Sequence, residues 1–333
     1  MQKIKIAYVD FWKGMVPEEH IFTKILRKHY DIEITKQNPD FVFCSTFGQE
    51  YLKYDCPRIL FVGEAFCPDF NLYDYAIGFD HMQFGDRYLR YPLCLMDREN
   101  IKCAMDKVNR PQEEYLNRTG FCSFVVSSGG GVGDLRTWYF EQLSQYKQVD
   151  SGGRYRNNLP DGQPVADKKA FQEKYRFSLA FENTRFPGYV TEKLIDAWAA
   201  GTIPIYCGDP LAVKDFNEKA FINCSGKEDY EAVLQRIKEI ESNQETYLQM
   251  TKEPIFLPGS EMENMVKEEY LENFLLHIVG QEPVQAIRRN AKLTMWGQFY
   301  EYRMMKWNKM EHLPIVEFFR KWKRKLFGLK KIG

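Results

Sequence analysis

The sequence is short of most features that would settle a function at once. No apolar run is long enough to cross a bilayer. Its 46 basic and 46 acidic side chains cancel, so the whole protein has no electrostatic bias toward nucleic acid. The eight cysteines form no C-x-x-C pair and the five histidines are dispersed, which argues against a zinc cluster. Several cysteines (Cys44, Cys122, Cys207) fall in β-rich segments and read as buried, reduced thiols of a cytosolic protein. There is no internal repeat, no Walker loop and no D-x-D. The N-terminus, MQKIKIAYVDFW, opens directly on a strand pattern without a signal peptide. The sequons Asn117-Arg-Thr119 and Asn223-Cys-Ser225 are therefore not expected to meet a glycosylation machinery.

What is present is a globular composition: 44% hydrophobic and 28% charged residues over 333 positions, enough for two domains. Short strands are expected at Ile4–Val9, Phe41–Cys44, Ile59–Val62, Tyr75–Phe79 and Tyr88–Leu93, with helices such as His20–His29 between some of them. That alternation predicts an α/β domain. A polar helical segment, Arg98 to Arg118, joins it to a second domain. The expected division is 1–115, 116–285 and a helical 286–333.

The stretch Phe181 to Pro210, FENTRFPGYVTEKLIDAWAAGTIPIYCGDP, carries the most information. It reads as strand, turn, helix, strand. Pro187 and Gly188 break the first strand, Thr191 is a plausible N-cap, Leu194, Ile195, Ala197 and Trp198 form an apolar face, and Gly201 ends the helix. Lys193 then sits in the first turn, where unpaired N–H groups and about half a positive charge make a cation unwelcome. A bound phosphate would offset it. The plainer reading is that Glu192 complements the helix dipole while Lys193 reaches solvent.

A second unit repeats the pattern. Phe121 to Ser127 is a β-rich run, Ser128-Gly-Gly-Gly-Val-Gly133 follows, Asp134 is a possible N-cap, and Leu135 to Tyr146 reads as a helix with Arg136 in its first turn. Two such units could aim two helix N-termini, Arg136 and Lys193, at one diphosphate. The Gly-rich loop alone is weak evidence, because the dinucleotide fingerprint fails at Arg136, where Gly or Ala belongs.

Further on, an amphipathic helix is expected over Glu228–Met250. A Met- and aromatic-rich stripe from Met295 to Trp307 reads as core packing. The tail, Pro314 to Gly333, sets Ile315, Phe318, Phe319, Trp322, Leu326 and Leu329 on one helical face among seven Lys and Arg residues. It is read either as a helix for an anionic membrane surface or as a solvated helix packed on the second domain.

The pattern FEN…GYVTEK(L/I)xxA…G(T/V)(I/V)P(I/V)YxG resembles the donor-binding signature of α-1,3-fucosyltransferases, which use GDP-fucose. Phe61-Val-Gly-Glu-Ala65, Asp74 to Asp80 and Arg87 to Leu93 are similar to the N-domain pattern of the soluble bacterial members. Phe121 to Ser127 with Arg136, and Val149 to Gly153 leading to Arg156-Asn157-Asn158, also match. The resemblance implies a GT-B-type α/β architecture, two Rossmann-like domains facing a cleft, with the acceptor on the N-terminal one. It implies inverting transfer from GDP-β-L-fucose to an N-acetyllactosamine- or lacto-type glycan. By the same resemblance Arg136 and Lys193 hold the diphosphate, Glu64 is the base, and Glu192, Asn183 and Tyr189 contact the donor. Glu182 belongs to the motif, and Arg156 and Asn157 are candidates for the nucleotide side. The chain lacks the membrane anchor of the Golgi enzymes and the leucine-containing heptads of some bacterial members, so the expected location is the cytoplasm, with peripheral contact at the inner membrane face through the tail.

Displacement at an anomeric carbon passes through an oxocarbenium-like state. One face needs a base, and the other must stabilise the departing diphosphate. Without a D-x-D, fixed cations and helix ends are the more economical means, and no obligatory metal cofactor is expected. Taken alone, Glu64 also reads as an exposed loop glutamate. Other nucleotide-sugar transferases, a dinucleotide-dependent oxidoreductase and a non-catalytic membrane-associated glycan- or nucleotide-binding module are the rival readings.

Overall fold

A computed structural model describes residues 1–129, 134–311 and 313. The end of the Gly-rich loop and the basic tail 314–333, with the membrane expectation attached to it, lie outside the described residues. The chain forms two compact units. One comprises Met1–Gly78, Gln83–Leu89 and the described residues from Glu272 onward, and the other Phe79–Met82 with Arg90–Leu271.

The first unit is built on six strands: β1 (Lys3–Val9), β2 (Asp31–Ile34), β3 (Phe41–Cys44), β4 (Arg58–Phe61), β5 (Tyr75–Gly78) and β6 (Tyr88–Arg90), in spatial order β2-β1-β3-β4-β5-β6. The strands from β2 to β5 pair in parallel. Strands β3, β4 and β5 are buried throughout, as parallel strands covered on both faces must be. Strand β2 escapes a hydropathy reading because two of its four residues are acids; as an edge strand it buries only Ile32 fully. The expected helix His20–His29 is shorter, α1 at Ile21–Leu26, and it is capped by His20, whose Nδ1 accepts the Phe22 N–H.

Asp74 ties this unit together. It is fully buried and accepts the backbone N–H groups of Arg58 (2.7 Å), Arg288 (2.7 Å) and Arg289 (2.9 Å), as well as the Arg289 guanidinium. Arg58 in turn pairs with Glu301 at 2.5 Å. The C-terminal helices thus belong to the first unit rather than to a region of their own.

The second unit holds α2 (Arg98–Met105), β7 (Gly120–Phe124), α3 (Leu135–Tyr146), β8 (Val149–Ser151), β9 (Tyr175–Phe181), α4 (Glu192–Ala199), β10 (Ile203–Cys207) and β11 (Ile222–Asn223). Its five strands run parallel in the order β11-β10-β9-β7-β8, with Phe124 opposite Leu179 and Leu179 opposite Ile205. The chain leaves β7 toward β8 on one side and resumes at β9 on the other. The carboxyl ends of β7 and β9 therefore flank a switch point, where open α/β sheets bind ligands.

The segment expected to be a linker is part of this unit. Asn100 donates to Asp196 of α4 at 2.5 Å, and Lys107 donates to the carbonyls of Thr251 (2.8 Å) and Glu253 (2.6 Å). The helix expected over Glu228–Met250 is two helices, α5 (Tyr230–Ser242) and α6 (Gln244–Lys252). Asn243 interrupts them in an extended conformation and caps α6 by accepting the Thr246 N–H, the local bonding that makes Asn a helix breaker.

The Met- and aromatic-rich stripe is not core. It lies on α7 (Met295–Glu311), where Trp296 is 83% exposed and Phe299, Tyr302 and Trp307 are also exposed. The covered side is the row Gly297, Tyr300, Glu301, Met304 and Asn308. Tyr300 bonds Asp69 at 2.6 Å and Glu301 bonds Arg58. An ion pair to a buried arginine, rather than hydropathy, sets the facing of this helix.

Candidate active site

Helix α4 starts as the sequence suggests, but its cap is different. Thr191 stands at the N-cap position without a side-chain capping bond. The acceptor is Glu182, the residue after β9. Its carboxylate takes the Thr191 N–H at 2.8 Å, the Thr191 hydroxyl at 2.6 Å and the Lys193 ammonium at 3.2 Å. Glu182 has a fully buried side chain. Burial pushes its carboxyl above the ordinary range, while Lys193 and the two Thr191 donors pull it down.

Lys193 also donates to the Thr191 hydroxyl at 2.8 Å and to Glu192 at 3.1 Å. Burial works against its charge, but Glu182 and Glu192 outweigh it, and the ammonium is held above its ordinary pKa. Glu192 is half exposed. Burial raises its carboxyl, but Lys193 and Lys168 outweigh this and hold it below the usual range. Glu182, Glu192 and Lys193 are thus one cluster at the carboxyl end of β9. Gly201, at φ +69, ends α4 as expected.

The turn before α4 is fixed from a second direction. Gly188 lies at φ +80, and a Cβ there would fall 2.5 Å from the Phe79 carbonyl oxygen, so only glycine fits. Its N–H donates to Asp209 at 2.7 Å, and Asp209 also accepts from Leu211 at 2.8 Å. Asp209 is buried, and its other carboxylate oxygen has no hydrogen-bond partner. Burial raises its pKa against those two N–H donors. Tyr189 is buried with its ring 5.2 Å from that of Phe79, edge to face. Asn183 is exposed at the start of the loop, and Arg185 donates to the Ser225 carbonyl.

After β7, Asp134 caps α3 by accepting the Arg136 N–H, and it pairs with the Arg136 side chain at 3.1 Å. Arg136 is nearly buried. In the loop after β8, Arg156 is exposed at φ +54, pairs with Glu141 at 2.6 Å and lies over the Tyr155 ring. Asn157 serves its own loop: it donates to the carbonyls of Gly153 (2.9 Å) and Gln163 (3.1 Å) and accepts from Leu159 (3.0 Å). Glu64 belongs to the first unit, exposed in the loop after β4.

Sequence reasoning missed the groups around Asp209. His81, Asp209 and Asp215 each place a ligand-type atom within 4.8 Å of the others. Arg90 already supplies a fixed cation there: it grips Asp215 through both guanidinium nitrogens and approaches His81 Nε2 at 3.1 Å. The set is therefore read as an ion-paired cluster rather than a metal cage. Its one sequence signal is an acid two residues past the strand in Tyr206-Cys-Gly-Asp209. Of the eight cysteines, Cys44, Cys94, Cys122, Cys207 and Cys224 are buried, whereas Cys56 and Cys103 are half-buried and Cys67 is exposed.

Two open parallel sheets, the second with cationic helix starts at its switch point, make this a GT-B-type fold. Residues 6–96 match the α-(1,3)-fucosyltransferase FucT N-terminal domain, and residues 116–252 match the C-terminal part of glycosyltransferase family 10 (fucosyltransferase). The chain belongs to the α-1,3-fucosyltransferase family. It is 34% identical over 294 residues to the α-(1,3)-fucosyltransferase FucT of Helicobacter pylori, covering 75% of this chain and 60% of that protein. The chain thus spans about three-fifths of the length of that curated relative. A crystal structure of an α1,3-fucosyltransferase with GDP superposes with a TM-score of 0.66 at 30% identity, covering 82% of this chain and 90% of the other. One with GDP-fucose gives 0.65 at 29% identity, covering 83% and 91%. No helix among the described residues is long and apolar enough to cross a membrane.

Proposed function

We propose that this chain transfers L-fucose from GDP-β-L-fucose, with inversion, to the N-acetylglucosamine or glucose of an N-acetyllactosamine- or lacto-type glycan. The product carries an α-1,3 linkage, with α-1,4 as the variant that acceptor shape would select. The observation that carries this reading is the pair of helix starts flanking one switch point, each with a cation in its first turn: Arg136 after β7 and Lys193 after β9. Helix N–H groups and two fixed cations suit a diphosphate leaving group. The related crystal structures with GDP and GDP-fucose support this choice of donor.

In this reading Glu64 removes the proton of the acceptor hydroxyl as the bond to the anomeric carbon forms. The electron pair of the breaking bond leaves with GDP, and Arg136 and Lys193 stabilise that charge. Glu192, Asn183 and Tyr189 line the donor sugar and ribose side, with Arg156 toward the nucleotide. Because the cations are side chains, transfer is expected to persist in chelator. Complete loss in chelator, restored by manganese or magnesium, would refute the metal-independent mechanism. The function itself is tested by incubation with GDP-fucose and type I or type II disaccharides, followed by linkage analysis. A fucosylated N-acetylglucosamine is expected. Turnover of another sugar nucleotide but not of GDP-fucose would contradict the donor assignment.

A further inference from the structure

A lysine ammonium has three N–H donors and no acceptor. Around Lys193 three oxygens already take them: Glu182 Oε2 at 3.2 Å, Thr191 Oγ1 at 2.8 Å and Glu192 Oε1 at 3.1 Å. A phosphate oxygen that binds this ammonium must displace one of the three.

The three are not equally easy to displace. The Glu182 side chain is fully buried and also holds both donors of Thr191. Removing its cation would strand a buried carboxylate, which is strongly unfavourable. The Thr191 hydroxyl is fixed by its own 2.6 Å bond to Glu182. The Glu192 side chain is 55% exposed, so water can solvate its carboxylate at little cost once it leaves.

We propose that Glu192 is an internal counter-ion of Lys193, holding the place that a phosphate oxygen of a nucleoside diphosphate takes, and that diphosphate binding displaces it. The inference rests on the reading of Lys193 as a diphosphate ligand. It assigns the same-turn acid a competing role in addition to any contact with the donor sugar. The other helix start shows a parallel arrangement, since Arg136 pairs with Asp134 of its own cap at 3.1 Å. A guanidinium has five donors, so no exchange is required there.

The test is GDP binding by calorimetry at low salt in the wild type, Glu192→Gln, Glu192→Ala, Lys193→Ala and the Glu192→Gln/Lys193→Ala double variant. Removing a competing charge a few ångströms from the bound phosphate should tighten GDP binding about 3- to 10-fold in both Glu192 variants. The gain should shrink at high salt and vanish in the Lys193→Ala background. If Glu192 only contributes favourable contacts to the nucleotide, both variants bind GDP equally or more weakly, and the proposal is overturned. The site reading is judged separately: wild-type binding that weakens in Lys193→Ala supports it. Absence of wild-type binding would remove that reading and the counter-ion role with it.

Discussion

Glu64 is the residue proposed here as the general base. It is exposed after a buried strand, at the carboxyl edge of the first sheet. A general base contributes about 10²–10⁴-fold to a rate, so Glu64→Ala should lower kcat by that order and change GDP affinity little. Steady-state kinetics beside GDP calorimetry checks this, and an unchanged kcat removes Glu64 as the base. Lys193 and Arg136 could be placed in first turns from sequence because capping residues and helical periodicity are local signals. Their partners were less legible. Glu182 meets Thr191 and Lys193 only because the chain returns from the end of β9 through a tight turn, and no local pattern encodes that return.

At the scale of elements, the start of α4 is held by two buried carboxylates from neighbouring strands. Glu182 follows β9 and binds Thr191, while Asp209 follows β10 and binds Gly188. Asp209→Ala leaves two N–H groups without their acceptor, at a cost of about 1–3 kcal/mol for a buried donor. Weaker donor binding and a lower unfolding midpoint should follow. Asp209→Asn keeps an acceptor oxygen and should recover most of the donor affinity. Thermal unfolding and GDP titration of both variants decide this, and equal behaviour of Ala and Asn would contradict the role given to the Asp209 acceptor. The strand–turn–helix–strand order that carries these acids was legible from Phe181 to Pro210, although β9 itself, YRFSLAF, interrupts its apolar residues with Arg176 and Ser178. The break between α5 and α6 was not, because Asn243 acts through one side-chain bond inside an otherwise uninterrupted amphipathic pattern.

At the scale of the whole molecule, the first unit is closed by segments far apart in sequence. Asp74 binds Arg58, Arg288 and Arg289, and Arg58 reaches Glu301. Breaking such a buried network by removing one partner costs about 3–5 kcal/mol. Asp74→Ala should show a loss of that size in denaturant unfolding, whereas a loss below about 1 kcal/mol would show that the network is dispensable. This long-range pairing also explains why the facing of α7 departs from its hydropathy pattern. Its aromatic residues repeat at a spacing that suggests core, yet Glu301 and Tyr300 face the unit while Trp296 and Trp307 face outward. The alternation of strands and helices revealed the α/β class, but not which distant segment completes which unit.

The central claim is that Arg136 and Lys193 together hold the pyrophosphate of a guanosine-linked sugar. Calorimetric titration of the wild type, Arg136→Ala and Lys193→Ala with GDP tests it most directly. A charge-assisted hydrogen bond is worth about 1.5–3 kcal/mol, so each variant should bind GDP roughly 10- to 100-fold more weakly than the wild type. A wild type that takes up no GDP, or two variants that bind it as tightly as the wild type, would contradict the account.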